Sequence, residues 1–260
     1  MHHRTLRRAG LLLSSALLLS SASAQVKRPT PTWQEPPRLV VGIVVDQMRA
    51  DYLYRYWDNF SEGGFKRLLR DGSFQRDAHY NYAPTMTGPG HASVFTGTTP
   101  RDHGIVLNDM FSRTNGTMVN CVQDDSVRGV GVQGPRSRRS PKNLLSSTIA
   151  DELEMRYGGR SKTIGVSFKD RGAILPVGRT GDAAFWFFDD ALGSFATSTW
   201  YMDTLPAWLE AFNARRHVAD QLGRTWEPLL PLDRYHQAVE DENVYEELLP
   251  GTLTPTLPVD

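Results

Sequence analysis

The sequence predicts an α/β fold: a sheet sandwiched by helices. Three observations carry that expectation. Leu39–Val45 (LVVGIVV) is an unbroken apolar run rich in β-branched residues, the pattern of a buried and parallel strand. Further strand-like segments follow at Thr163–Phe168, Ala183–Phe188 and Ser194–Tyr201. Segments with helical spacing lie between the strand-like ones, and that alternation is the mark of layered α/β packing.

Taken from the start of the chain, residues 1–24 read as a secretory signal peptide. Arg4, Arg7 and Arg8 make a basic start, an apolar stretch runs through Leu11–Leu13 and Leu17–Leu19, and Ala22-Ser23-Ala24 offers small residues before a cut at Gln25. The apolar run falls short of the ~20 residues that a membrane span needs. The expected destination is outside the cytoplasm, most simply a bacterial periplasm, for a protein with the single cysteine Cys121. Residues 25–38 carry Pro29, Pro31, Pro36 and Pro37 and read as an extended leader.

The folded domain is expected over residues 39–249. After the first strand, Met48–Phe60 and Gly64–Leu69 look helical, and Ser73–Tyr82 looks extended. Ser140-Pro141 reads as a helix N-cap followed by proline at the first helical position, with Leu144, Leu145, Ile149 and Leu153 at helical spacing and Gly158-Gly159 as the stop. Ala183–Phe188 and Ser194–Tyr201 flank residues 189–193 as a hairpin. Leu205–Leu222 is amphipathic, and residues 250–260, with three prolines, read as a tail.

Composition narrows the function. Lys+Arg and Asp+Glu both number 29, so no basic excess points to nucleic acid as a dedicated partner. One cysteine excludes an internal disulfide framework and a CxxC metal or redox site.

Three groups of residues could carry chemistry. Asp46 follows the first strand, and ligands of open α/β sheets bind off the carboxyl ends of strands. It could hold a metal ion or cap the next helix. Thr87 stands in Met86-Thr87-Gly88-Pro89-Gly90-His91 ahead of an apolar helical run, so its hydroxyl is expected at a helix N-terminus. Beside a divalent cation such a hydroxyl becomes a nucleophile; the alternative is an N-cap threonine in a glycine-rich turn. His91 reads as a hydrogen-bonder inside that helix. Lys169-Asp170-Arg171 follows the strand at 163–168, where two cations can grip phosphoryl oxygens or stand as ordinary solvated surface.

Together these residues change weight. With Asn108 they occur in the order of a known family, accompanied by VGIVVDQMRADYL, TGPGHASVFTGTTP, SPKNLLSSTIADEL, GVSFKDRGAILPVG and GDAAFWF. The chain resembles, from about Leu39 to about Asn213, the type I phosphodiesterase/nucleotide pyrophosphatase branch of the alkaline phosphatase superfamily. It is most similar to the PafA-type exported alkaline phosphatases.

The resemblance implies an alkaline-phosphatase-like sheet and hydrolysis of phosphate monoesters through a phosphothreonine. It implies Thr87 as nucleophile, Asp46 and Thr87 as ligands of the adjacent zinc, and Asn108 as amide donor to a phosphoryl oxygen. Lys169 and Arg171 are implied as the monoester-binding pair, with Asp170 between them in the substrate-binding set. Two zinc ions are expected in the complete enzyme. The remaining Asp and His ligands belong to a second half, so the expectation is an incomplete sheet and little activity from this chain alone. His217 and His236 lack the family's ligand pattern. A phosphodiesterase or nucleotide pyrophosphatase is the alternative, against which the Lys169/Arg171 pair argues. A sulfatase does not fit, because Cys121-Val122-Gln123-Asp124-Asp125 is not a formylglycine setting. A non-catalytic remnant is the last option.

Overall fold

The computed structural model describes residues 38–188, 193–221 and 224–239. The expected signal peptide, the tail and all but the last residue of the proline-rich leader lie outside the described residues. The chain divides into two compact units, Met1–Ile43 and Val44–Asp260. In the first, the described residues 38–43 have no regular secondary structure.

The second unit contains, in chain order, α1 (Tyr52–Arg55), α2 (Phe65–Asp71), α3 (Thr87–Thr96), α4 (Pro100–His103), β1 (Asp109–Ser112), β2 (Thr117–Asn120), β3 (Gly129–Val130), α5 (Ile149–Tyr157), β4 (Ile164–Ser167), α6 (Asp170–Val177), β5 (Ala183–Phe188), β6 (Ser194–Ser198) and α7 (Ala207–Ala214). Short 3₁₀ turns join them. A four-stranded sheet runs β3-β6-β5-β4, and a separate hairpin pairs β1 with β2. β4 and β5 are parallel and joined through α6, whereas β5, β6 and β3 pair antiparallel.

Helices cover both faces of this sheet. Ala184 and Trp186 of β5 pack with Ala173, Ile174, Leu175 and Val177 of α6 and with Ala92 of α3. Ala183 and Phe185 point to the other face and pack with Leu209 of α7. The period-two alternation of β5 thus feeds two cores, which is why its sequence is apolar throughout. Trp186 pairs across β4 with Ser167, so the α6 N-terminus begins at the sheet end where β4 stops.

Several expectations hold and several need correction. The strand expected at 163–168 is present as β4, and the hairpin around 189–193 and a left-handed stop at Gly158 are present too. The run Leu39–Val45 forms no strand: Leu39, Val40, Val41, Ile43, Val44 and Val45 are exposed, and no strand among the described residues pairs with them. An apolar run acquires β structure from a hydrogen-bonded neighbour, and pattern alone does not supply one. Ser73–Tyr82 likewise forms no strand.

The helix expected from Ser140 starts at Ile149. Its N-terminus is a capping box in which the Thr148 hydroxyl accepts the Asp151 N–H and the Asp151 carboxylate accepts the Thr148 N–H. Ser140 instead donates its hydroxyl to Asp124 at 2.7 Å and holds a turn. The helix expected over 205–222 ends at Ala214, two residues before Arg216 takes a positive φ of 51°. Met48–Phe60 contains a single α-turn followed by a 3₁₀ turn.

Candidate active site

Thr87 is the first residue of α3, and the N-cap position belongs to Met86, whose extended backbone precedes the helix. The Thr87 hydroxyl therefore does no capping. It points to Asp46, donating to Oδ2 at 3.3 Å across 41 residues of sequence. One turn further on, the His91 ring Nδ1 bonds the Thr87 carbonyl at 2.9 Å, which ties the first turn together from inside. His91 is thus the hydrogen-bonder the sequence suggested.

Asp46 sits in a turn closed by the Met48 N–H and the Val45 carbonyl. Gln47 within that turn has φ of 58°, a left-handed conformation uncommon for a side chain of this kind. Asp46 caps no helix; the residue before α1 is Asp51.

Asn108 precedes β1, and its backbone carbonyl accepts the Cys121 N–H at 2.8 Å just beyond β2. The hairpin base therefore fixes this residue. Its side-chain Oδ1 accepts the Gly88 N–H at 2.7 Å. That bond assigns the amide orientation: the oxygen faces the helix, and the Nδ2 donors are left for another partner. Gly88 leaves little room for a side chain, since a Cβ would lie 3.1 Å from both Asn108 Oδ1 and Cys121 Sγ. Close backbone approach is what lets the hairpin touch the start of α3.

Lys169 is the N-cap residue of α6, and its backbone N–H bonds Ser167 Oγ. Its side chain is exposed. Asp170 and Arg171 are half-buried, and α6 packs on α3 with Gly172 close to the His91 ring. Asp170 Oδ2 accepts Arg139 Nε at 2.6 Å, and Oδ1 accepts the Arg171 backbone N–H at 2.7 Å. The Arg171 guanidinium stands 3.8 Å from Oδ1, beyond hydrogen-bond distance, and its Nε is buried without a partner.

Cys121 connects the two halves of this arrangement. It lies against Gly88, and its thiol feels the charges of Asp170, Arg171 and Asp109. Burial foremost, and then Asp170, pushes the thiol up to about 12, so it stays protonated and inert. Gly88 and Asn108 thus meet beside one buried sulfur, which also lies in the field of Asp170 and Arg171 at the start of α6. Behind them, burial raises the Asp124 carboxyl, but hydrogen bonds from Ser126, Ser140 and Lys142 outweigh it and hold the group down at about 2.

Asp46 and Thr87 present one carboxylate and one hydroxyl oxygen to a shared space, hard donors that a metal ion could take. Among the described residues no group of three or more His, Cys, Asp or Glu side chains gathers to hold a metal. The pair therefore fits as part of a coordination shell. No helix among the described residues is long and apolar enough to cross a membrane.

Sequence reasoning missed two contributors. The β1–β2 hairpin that follows Asn108 is announced by Asn115-Gly116, with Gly116 at φ of 66°, between two short segments that each carry a pair of apolar residues. Arg139 gave no local signal, because its partner lies 31 residues away.

Comparison with known proteins identifies the family. A family model described as type I phosphodiesterase / nucleotide pyrophosphatase matches residues 40–247. The chain is 47% identical over 226 residues to a protein named calcium-transporting ATPase from Myroides odoratus, covering 87% of this chain and 41% of that one. It is 43% identical over 250 residues to alkaline phosphatase PafA from Elizabethkingia meningoseptica, covering 96% of this chain and 44% of that one. The crystal structure of wild-type PafA superposes with a TM-score of 0.83 at 45% identity, over 86% of this chain and 43% of that one. A PafA variant with one threonine changed to serine and an asparagine, a lysine and an arginine changed to alanine superposes at 0.79 and 42% identity, over 83% of this chain and 42% of that one. The chain spans less than half the length of these relatives. With the family model running through nearly all of the second unit, and the likeness to PafA extending from sequence to fold, this chain belongs to the type I phosphodiesterase / nucleotide pyrophosphatase family.

Proposed function

We propose that this chain carries the nucleophile and the phosphate-gripping residues of an exported, zinc-dependent phosphomonoesterase site. One observation carries the reading: the Thr87 hydroxyl, at a helix N-terminus and free of capping duty, lies 3.3 Å from the Asp46 carboxylate. The PafA variant supports it, because its altered threonine, asparagine, lysine and arginine follow the order of Thr87, Asn108, Lys169 and Arg171, with the same spacing within each pair. Export rests on the basic and apolar start of residues 1–24.

In this reading Thr87 Oγ gives up its proton to solvent water and attacks phosphorus in line. The new O–P bond forms as the ester P–O bond breaks, and the departing alkoxide takes a proton from water. A water then attacks the phosphothreonine, phosphate leaves, and the hydroxyl is restored. Asn108 Nδ2 donates to a phosphoryl oxygen, its orientation set by Gly88. Lys169 and Arg171 neutralise the other oxygens. Asp46 and Thr87 would hold one zinc, which when bound makes the hydroxyl easier to deprotonate. The second ion of a two-zinc site needs ligands beyond those that the described residues bring together.

The monoester preference is tested in a protein that carries this chain within a complete catalytic domain. Replacing Lys169 and Arg171 by alanine removes charge-assisted contacts of about 1.5–3 kcal/mol each. Monoester hydrolysis should fall far more than diester hydrolysis. Equal losses on both substrates would leave the phosphodiesterase reading in its place.

A further inference from the structure

We infer that Arg139 is a positioning residue for the phosphate site: by occupying Asp170, it keeps the Arg171 guanidinium free to meet a phosphoryl dianion. The inference rests on the proposed function of Arg171. Asp170 has two oxygens, and both are taken, Oδ2 by Arg139 Nε at 2.6 Å and Oδ1 by the Arg171 backbone N–H at 2.7 Å. Neither hydrogen-bonds the Arg171 guanidinium, although it follows Asp170 directly in the chain and its Nη1 stands 3.8 Å from Oδ1. Its Nε is buried without a partner, an arrangement that is costly unless an anion completes it.

Arg139 can hold this post because its own backbone is fixed. The Ser198 hydroxyl of β6 donates to the Arg139 carbonyl at 2.6 Å, and an isolated bridge pairs Arg139 with Gln123. The ion pair is shielded, with side-chain exposures of 10% for Arg139 and 15% for Asp170. Without Arg139, an uncompensated carboxylate would sit beside Arg171, and a small rotation would make a fork-to-fork pair. Arg171 would then be bound to the protein's own carboxylate and lost to phosphate.

The test uses the chain itself and inorganic phosphate as the probe. Binding is read by calorimetry and by the shift of the Arg171 Nε–H resonance, with melting curves to verify folding. Arg139→Gln should weaken phosphate binding at least tenfold and move the Arg171 resonance even without phosphate. Adding Asp170→Asn to that variant should restore affinity to within threefold of wild type, because no carboxylate remains to capture Arg171. Arg139→Lys should retain most of the affinity, and it serves if the glutamine variant does not fold. A double variant no better than Arg139→Gln, or an Arg139→Gln variant that binds like wild type, would overturn the positioning role. If Arg171→Ala binds phosphate as wild type does, or wild type binds none, the underlying phosphate-site reading fails instead.

Discussion

Asn108 is expected to do two jobs with two ends of one amide, and substitution can separate them. Its Oδ1 accepts the N–H of Gly88, a buried residue in the first turn of α3, at 2.7 Å. Asn108→Ala removes the acceptor and orphans that N–H, a loss of about 1–3 kcal/mol. In a domain of this size, ~2–4 °C of melting temperature corresponds to each kcal/mol, so a fall of roughly 2–12 °C is expected. Asn108→Asp keeps an acceptor and adds a negative charge at a helix N-terminus, worth about 0.3–1 kcal/mol in favour of the fold. Its melting temperature should stay within a degree or two of wild type or rise. On the proposed substrate the order changes. Asn108→Asp removes the Nδ2 donor and sets a carboxylate against a dianion, so monoester turnover should drop at least ~100-fold, as for loss of one donor to a developing charge. Melting curves on the chain and turnover in the complete domain make the assay. A melting temperature unchanged by Asn108→Ala, or wild-type turnover from Asn108→Asp, would refute the two-ended role.

Other outcomes follow from single features. Gly178 has φ of 69°, and a Cβ there would run into the Asp151 carboxylate and the Thr148 hydroxyl of the α5 capping box, so Gly178→Ala should cost at least about 2 kcal/mol in a denaturant titration. His103 is fully buried: the Ile105 N–H donates to Nδ1, and Nε2 therefore donates to Ser93 Oγ. Burial lowers its pKa below the ordinary 6.5, so its contribution to stability is complete above that value and is lost as pH falls through the lowered one. Melting temperature should therefore drop as the pH falls below about 6.5, and drop less steeply in His103→Gln. Asp124, held at about 2, should contribute fully above about pH 4 and be lost as the pH approaches 2, a fall that Asp124→Asn removes.

Local chemistry was legible in the sequence wherever it was enough to decide the structure. Glycine and proline around Thr87 announce a helix start, and α3 begins there. The segments around residues 189–193 pair as a hairpin, helped by the aromatic run of β5 and by Phe195 and Thr197 of β6. Legibility failed where a distant partner decides. Ser140-Pro141 looks like a helix start, yet its hydroxyl serves Asp124, and the stronger Thr148–Asp151 box opens the helix nine residues later. Leu39–Val45 has the composition of a central strand without a neighbour among the described residues. In the site, Asp46 and Thr87 could be paired through family resemblance, whereas Arg139 could not: its role exists only once β6 and α6 have brought it to Asp170.

The central claim is that Thr87 forms the covalent intermediate, and acid-quenched trapping tests it most directly. A protein carrying this chain within a complete catalytic domain, loaded with zinc, is mixed with a chromogenic phosphate monoester and quenched in acid during turnover. Peptides spanning α3 are then analysed by mass spectrometry. The account predicts one added phosphoryl group on Thr87, absent from Thr87→Ala along with most of the turnover. Undiminished turnover by Thr87→Ala, or a phosphoryl group trapped on a different residue, would contradict it.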